Sequence, residues 1–315
     1  IKDTGLEVTE LSFGTSSLGS MPDTYGYEVS EDRAQKTLNR FFQGPVNMLD
    51  TSRNYAMGES EKRIGRAIKE NGGWPKDLLL STKLDRDMDT LVLDKNRARE
   101  SLEESLKTLN VDSVDILFLH DPEYAKDITD ITKKDGAMDE LFKIKNEGLA
   151  KAVGVAMGKV DIMFPLLKDW DFDVIINHNR YTLINREANK MYEYASSKNI
   201  AIFNAAPYAG GVLAKGPDNF KKVTYQDATE EKLAPAREFE KVCKKHNVEL
   251  GAAALQFSLR DNRITSTICG VTSVESIEKN LAWANTNIPE EFWNEVLKLP
   301  YSTKDPESER NFTPG

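Results

Sequence analysis

Residues 97–120 read RARESLEESLKTLNVDSVDILFLH, and the fold is decided there. Leu102, Leu106 and Leu109 fall four and three apart, so one side of 97–110 carries an apolar stripe and the opposite side is charged. That spacing predicts an amphipathic helix. After a short break, VDILFLH at 114–120 is almost continuously apolar, the pattern of a strand covered on both faces. The same alternation recurs outward in both directions. GESEKRIGRAIKENGG at 58–73 stripes Ile64, Ala67 and Ile68, then stops at Gly72 and Gly73, as a helix end does. Strands are predicted over 11–15, 46–50, 78–83, 114–120, 152–156, 174–178, 201–204 and 267–270. Further helices are predicted over 31–42, 135–147, 160–168, 186–197, 230–245, 249–259 and 274–284. Eight strand–helix units predict an α/β fold, the closed (β/α)8 TIM barrel. The opening TGLEVTEL predicts a small hairpin below it.

A doubly wound sheet is the competing architecture. It would carry a glycine-rich GxGxxG turn after its first strand. FGTSSLGS at 13–20 has Gly14 and Gly19 at the wrong spacing. No composition break divides the 315 residues, so 1–315 is expected to be one barrel domain, with the polar end of the chain (297–315) a tail or lid.

Composition narrows the partners. Hydrophobic residues make up 39% and charged residues 30%, and the net charge is −9. Without a basic block, neither nucleic acid nor an anionic membrane is an expected partner. A small molecule is, to a monomer or weak homo-oligomer. The longest uncharged run, 199–214, is interrupted by Asn, Pro and Gly, so no membrane span is expected. Cys243 and Cys269 make neither a disulfide framework nor a metal-pair spacing. With IKDTGLEV lacking an apolar signal core, a cytoplasmic location and no metal are expected.

In a barrel, the carboxyl ends of the strands converge on one face. Asp50 closes VNMLD, Lys83 closes LLLSTK, His120 closes VDILFLH, and Tyr55 follows in the loop after Asp50. Singly, each has an ordinary explanation: a cap, a surface ion pair, a core-edge histidine, a loop aromatic. Together they suit proton transfer at a C–OH or C=O centre. An ammonium beside a phenol favours the phenolate, a carboxylate holds that ammonium, and a histidine can bond the reacting oxygen. The hydride must come from or go to a cofactor.

The segments LSFGTSSLG, NMLDTSRNYAMGESEKRIGRAI, LLLSTKL, RARESLEESLKTLNVDSVDILFLHDPE and ITSTICGVTSVESIEKNL resemble an aldo-keto reductase over almost the whole chain. LDTSRNYAMGESE with the later STK and LFLHDPE makes the resemblance specific. It implies NAD(H) or NADP(H) bound across the barrel mouth. It implies Tyr55 as proton donor or acceptor, with Lys83 lowering its pKa, Asp50 orienting Lys83, and His120 orienting the substrate oxygen. It also implies cofactor contacts from Gly14, Thr15, Asp50, His178, Ala205, Gly270, Val271, Thr272, Ser276, Lys279 and Asn280.

This chain departs from the family pattern in places. GVAMG at 154–158 puts Ala156 and Met157 where serine and asparagine often hold the nicotinamide carboxamide. His178 stands where a glutamine is common, a core histidine being the alternative. Ala205 stands where a tyrosine often stacks. GVAM, NRYTLI and NAAPYAGGVLA resemble the branch of aldose 1-dehydrogenases, such as L-fucose and L-galactose dehydrogenases, and pyridoxal dehydrogenase. That branch implies oxidation of a cyclic hemiacetal carbon to a lactone. The alternatives are an NADPH-dependent reductase of small aldehydes or ketones, and a non-enzymatic cofactor-binding regulatory subunit.

The NADP phosphate needs a positive partner. Gly270 and Ser276 stand where lysine and arginine are common, Glu275 and Glu278 add negative charge, and Lys279 is the one basic residue left in this segment. NAD is therefore favoured over NADP. Tyr25 and Arg53, with Tyr55 and His120, are the expected substrate contacts. No phosphate-binding cluster is visible, so an unphosphorylated sugar is expected.

Overall fold

The computed structural model describes residues 1–310. Eight parallel strands close into a barrel in sequence order: β1 Leu11–Gly14, β2 Met48–Asp50, β3 Leu79–Leu84, β4 Val114–His120, β5 Ala150–Met157, β6 Val174–His178, β7 Ala201–Ala205 and β8 Ser266–Gly270. β1 closes the ring by pairing Gly14 with Gly270 on one side and with Asp50 on the other. The α/β (β/α)8 barrel expected from the alternating pattern is the observed fold.

Four of the helices start where a side chain takes a free N–H of the first turn. Ser30 accepts from Arg33 N ahead of Glu31–Phe41, Asp94 from Arg97 N ahead of Lys95–Leu109, and Thr229 from Lys232 N ahead of Glu230–Lys245. Helix Val274–Ala284 opens with a reciprocal Ser273–Ser276 capping box. Helix Glu59–Glu70 ends as expected, with Gly72 and Gly73 at φ +81° and +130° and Gly73 N donating to Ile68 O. Leu102 and Leu109 are fully buried in the layer between helices and barrel.

The barrel interior is a separate apolar plug that includes Met48, Ile116, Phe118, Val174, Phe203 and Ile268. Leu6 seals its lower end, with Ile1 and Val8 beside it. The predicted hairpin in this segment does not form: residues 1–9 contain no strand. A side chain replaces the partner strand. Asn47 Oδ1 accepts from Thr9 N, and Asn47 Nδ2 donates to Glu7 O, so the backbone is satisfied without a second strand.

The helix expected over 186–197 starts only at Asn189. The residues before it bind the end of the chain instead: Arg186 N donates to Ser302 O, and Ser302 N to Ile184 O. No helix among the described residues is long and apolar enough to cross a membrane.

Candidate active site

Asp50 and Lys83 meet inside the upper barrel. Strand pairing sets Asp50 beside Ser81, and the two-residue period turns Lys83 to the same interior side as Ser81. Lys83 Nζ donates to Asp50 Oδ1 at 2.9 Å, to Asp50 Oδ2 at 2.8 Å and to Thr51 O at 2.5 Å. Ser81 Oγ adds a bond to Asp50 Oδ1 at 2.9 Å. All three ammonium donors are thus spent on Asp50 and the Thr51 carbonyl just after β2, and Lys83 is 1% exposed.

Tyr55 leans over this pair, with Lys83 Nζ 4.6 Å from its ring centroid. The loop carrying it is bent by two consecutive non-glycine residues in the left-handed region, Ala56 (φ 52°) and Met57 (φ 54°). Each costs about 1–2 kcal/mol, a strain typical of functional loops. Burial and the nearby Asp50 carboxylate hold the Tyr55 phenol well above its usual pKa. The net shift is thus upward, against the lowering expected from Lys83 alone. The ammonium lies under the ring face with its protons directed at Asp50 and Thr51, and desolvation of the phenolate wins.

His120 packs edge-on against Tyr55, with ring centroids 5.6 Å apart. Its Nδ1 lies 2.6 Å from Asp85 Oδ1, and its Nε2 is 3.7 Å from Asp121 Oδ2. Burial alone would lower its pKa, but Asp121 and Asp85 outweigh burial and the imidazole pKa is raised. Asp85 is likewise pushed up by burial and pulled further down by His120 and Ser52, so it stays ionised. Asp85 was not among the residues expected from the sequence. The signal was available: in STKLDRD it stands two residues after Lys83, which puts both on one side of an extended chain.

A cleft of about 910 Å3 runs from this group across the barrel mouth. Of the expected cofactor contacts, Gly14, Thr15, Asp50, His178, Ala205, Gly270, Thr272, Ser276, Lys279 and Asn280 line it. Val271 does not. It is buried in the core, and its N–H is taken by Gly14 O. Tyr25 lines the cleft, with its hydroxyl bonded to Ser16 Oγ and its ring edge-on to Tyr225. Arg53 is turned away, because its guanidinium is held by Glu104 at 2.9 Å.

The Ser276 hydroxyl accepts from Thr272 N and Ser273 N at the start of helix Val274–Ala284. A Cβ on Gly270 would meet only Ser17 Oγ, 4.0 Å away, so this end is open enough for a bulky group to approach. Arg33, absent from the sequence reading, reaches over from helix Glu31–Phe41 to Thr272 Oγ1 and lines the cleft. Lys279 is therefore not the only positive charge here. Of the two acidic residues, Glu278 is engaged by Arg40. Among the described residues, no group of three or more His, Cys, Asp or Glu could hold a metal.

Residues 302–310 cross the same face. Arg180, fully buried, binds Asp305 at 2.6 Å and Glu307 at 3.0 Å, and Asn179 Nδ2 donates to Glu307. The NRYTLI motif is thus the seat of the C-terminal strap. Arg180 and Asn179 also approach His178 Nδ1 at 3.4 Å. Burial and the Arg180 charge lower the His178 pKa despite Glu307, which favours a neutral ring on the cleft wall.

Proton-handling side chains at the carboxyl ends of barrel strands head a large cleft that ends at a helix N-terminus, the face on which barrel enzymes carry their active sites and an end suited to an anionic group. The chain belongs to the aldo/keto reductase family, whose model matches residues 10–299. L-galactose dehydrogenase of Arabidopsis thaliana is 31% identical over 284 residues, covering 89% of this chain and 85% of the relative. D-threo-aldose 1-dehydrogenase of a Pseudomonas species is 28% identical over 321 residues, covering 93% and 94%. Among solved structures, the holo form of an aldo-keto reductase from Bacillus halodurans shares the fold with a TM-score of 0.77 at 20% identity, covering 97% of this chain and 96% of that one.

Proposed function

We propose that this protein oxidises an unphosphorylated aldose at C1 to a lactone, using NAD. The observation that carries the reading is the gathering of Asp50, Lys83, Tyr55 and His120 at the head of one cleft. Relatives named for aldose C1 and L-galactose oxidation support the substrate class.

Tyr55 exchanges the proton of the reacting oxygen. Lys83, immobilised by Asp50, places a fixed charge beneath the Tyr55 ring, which stabilises the negative charge that appears when the phenol ionises. His120 Nε2 bonds the reacting oxygen. The cofactor supplies the hydride acceptor, which no side chain can be. His178 and Asn280, on the cleft wall, are cofactor contacts, and Tyr25 is a substrate contact. The strap over 302–310 closes the substrate end as a lid.

NAD is favoured because Gly270 and Ser276 offer no charge at the adenosine end and Glu275 faces Arg33. Arg33 is the residue through which NADP would be admitted. A second reading is reduction of small aldehydes or ketones, which needs Tyr55 in the protonated form that its burial maintains.

The test is nicotinamide absorbance with free aldoses, pyridoxal and simple carbonyls, in both directions and with both cofactors. NADH formed from an aldose supports the proposal. NADPH consumption confined to aldehydes or ketones replaces it with the second reading.

A further inference from the structure

Asp85 is fully buried at the cleft, and the mechanism above gives it no part. Its carboxylate is held from both ends. Oδ2 accepts from Ser52 Oγ at 2.6 Å and from Asn54 N at 3.1 Å, while Oδ1 lies 2.6 Å from His120 Nδ1. Its backbone is anchored too: its N–H donates to Ser101 Oγ, and its carbonyl accepts from Arg97 Nε. The carboxylate therefore cannot turn away from the imidazole.

An ionised carboxylate only accepts. The proton on His120 must then sit on Nδ1, which leaves the Nε2 lone pair on the other side of the ring. Tyr55 and Asp121 Oδ2 stand around that ring. Lys83 directs no proton to the phenol oxygen, because Asp50 and Thr51 take all three.

We propose that Asp85 is a positioning residue that acts through His120: it fixes the imidazole with its proton on Nδ1, so that Nε2 is the atom that accepts and releases a proton in the cleft. The proposal rests on the oxidoreductase reading given above. The groups that face His120 fit a ring that can become positive. Asp121 and Asp85 favour the cation, while burial and Lys83 oppose it, and the carboxylates prevail. Tyr55 adds an uncharged phenol.

Asp85→Asn tests this, because the geometry decides how the amide sits. Ser52 Oγ and Asn54 N are donors, so they hold the amide oxygen at the Oδ2 position and turn its NH2 towards His120 Nδ1. The histidine proton should then move to Nε2. Nitrogen-15 NMR of histidine-labelled full-length protein reads this directly. Only three histidines are present, and His120→Gln assigns the relevant one.

Above its titration midpoint, wild-type His120 should be protonated on Nδ1. In Asp85→Asn it should be protonated on Nε2, with a midpoint about 1–3 pH units lower. kcat should fall about 100-fold or more, with cofactor affinity unchanged and the His120-dependent limb of the pH–rate profile displaced. In a His120→Gln background, Asp85→Asn should have no further effect. Wild-type His120 protonated on Nε2 overturns the proposal, as does an equal loss of rate with and without His120. The NMR measurement needs no substrate. A wild-type protein inactive on every sugar and carbonyl thus defeats the oxidoreductase reading while the tautomer still decides the role of Asp85. If Asp85→Asn does not fold, the wild-type tautomer still discriminates, and Ser52→Ala, which removes one of the two donors to Oδ2 and the hydroxyl 3.1 Å from His120 Nδ1 but leaves Asn54 N on the carboxylate, should lower kcat several-fold while leaving the proton on Nδ1.

Discussion

Breaking the Lys83–Asp50 pair should be far more damaging than removing it. Both side chains are almost fully buried, and the ammonium makes three short bonds within the pair and its flanking carbonyl. Lys83→Met leaves the Asp50 carboxylate with Ser81 Oγ as its remaining side-chain donor. An orphaned buried charge of this kind costs about 3–5 kcal/mol, and Asp50→Asn, which orphans the ammonium, should cost a similar amount. With both substitutions no unpaired charge remains, and most of the loss should be recovered, a coupling of about 3 kcal/mol. The assay is urea unfolding at pH 7 followed by tryptophan fluorescence. With a slope near 3 kcal/mol/M, each single variant should shift the midpoint down by about 1 M or more, and the double variant by much less than the sum. All three should lack hydride transfer, so stability would return without activity. Single variants with wild-type midpoints would mean that the pair is not buried as described. A double variant equal to the sum of the singles would mean that the two charges do not depend on each other.

Tyr55→Phe removes only the phenol oxygen and should lower kcat by about 10²–10⁴-fold, with cofactor affinity by fluorescence titration near normal; retained turnover would remove Tyr55 from the mechanism. Glu61 is buried beneath the site, with its pKa pushed up to about 7 chiefly by burial. The unfolded value is lower, so stability should fall as pH rises from about 4.5 to 7, by about 3 kcal/mol in total. Glu61→Gln should therefore raise Tm relative to wild type at pH 8 but not at pH 4.5, and an equal Tm difference at both would contradict the burial argument. Ser276→Arg should raise the preference for NADP over NAD, and Arg33→Ala should lower residual use of NADP, both read from kcat/KM ratios; unchanged ratios would mean that another segment reads the ribose.

Much of this molecule was legible before any coordinates. The stripe of Leu102, Leu106 and Leu109 followed by VDILFLH is a local pattern, and hydrophobic period alone separates a helix from a buried strand. Eight repeats of it leave few closed solutions, so the barrel followed. Strand ends converge in any such barrel, which is why Asp50, Lys83 and His120 could be expected at one mouth. What the sequence could not decide was set by contacts between distant segments. Asn47 satisfied the N-terminal backbone that otherwise reads as a hairpin. Glu104 drew Arg53 out of the cleft, and Arg33 entered it from a helix some 240 residues upstream of Thr272. Asp85 became the partner of His120, and Arg180 the seat of Glu307. Periodicity is a property of neighbours along the chain and is written in the sequence. The direction in which a long charged side chain points depends on which opposite charge the fold brings within reach, and only the tertiary structure decides that.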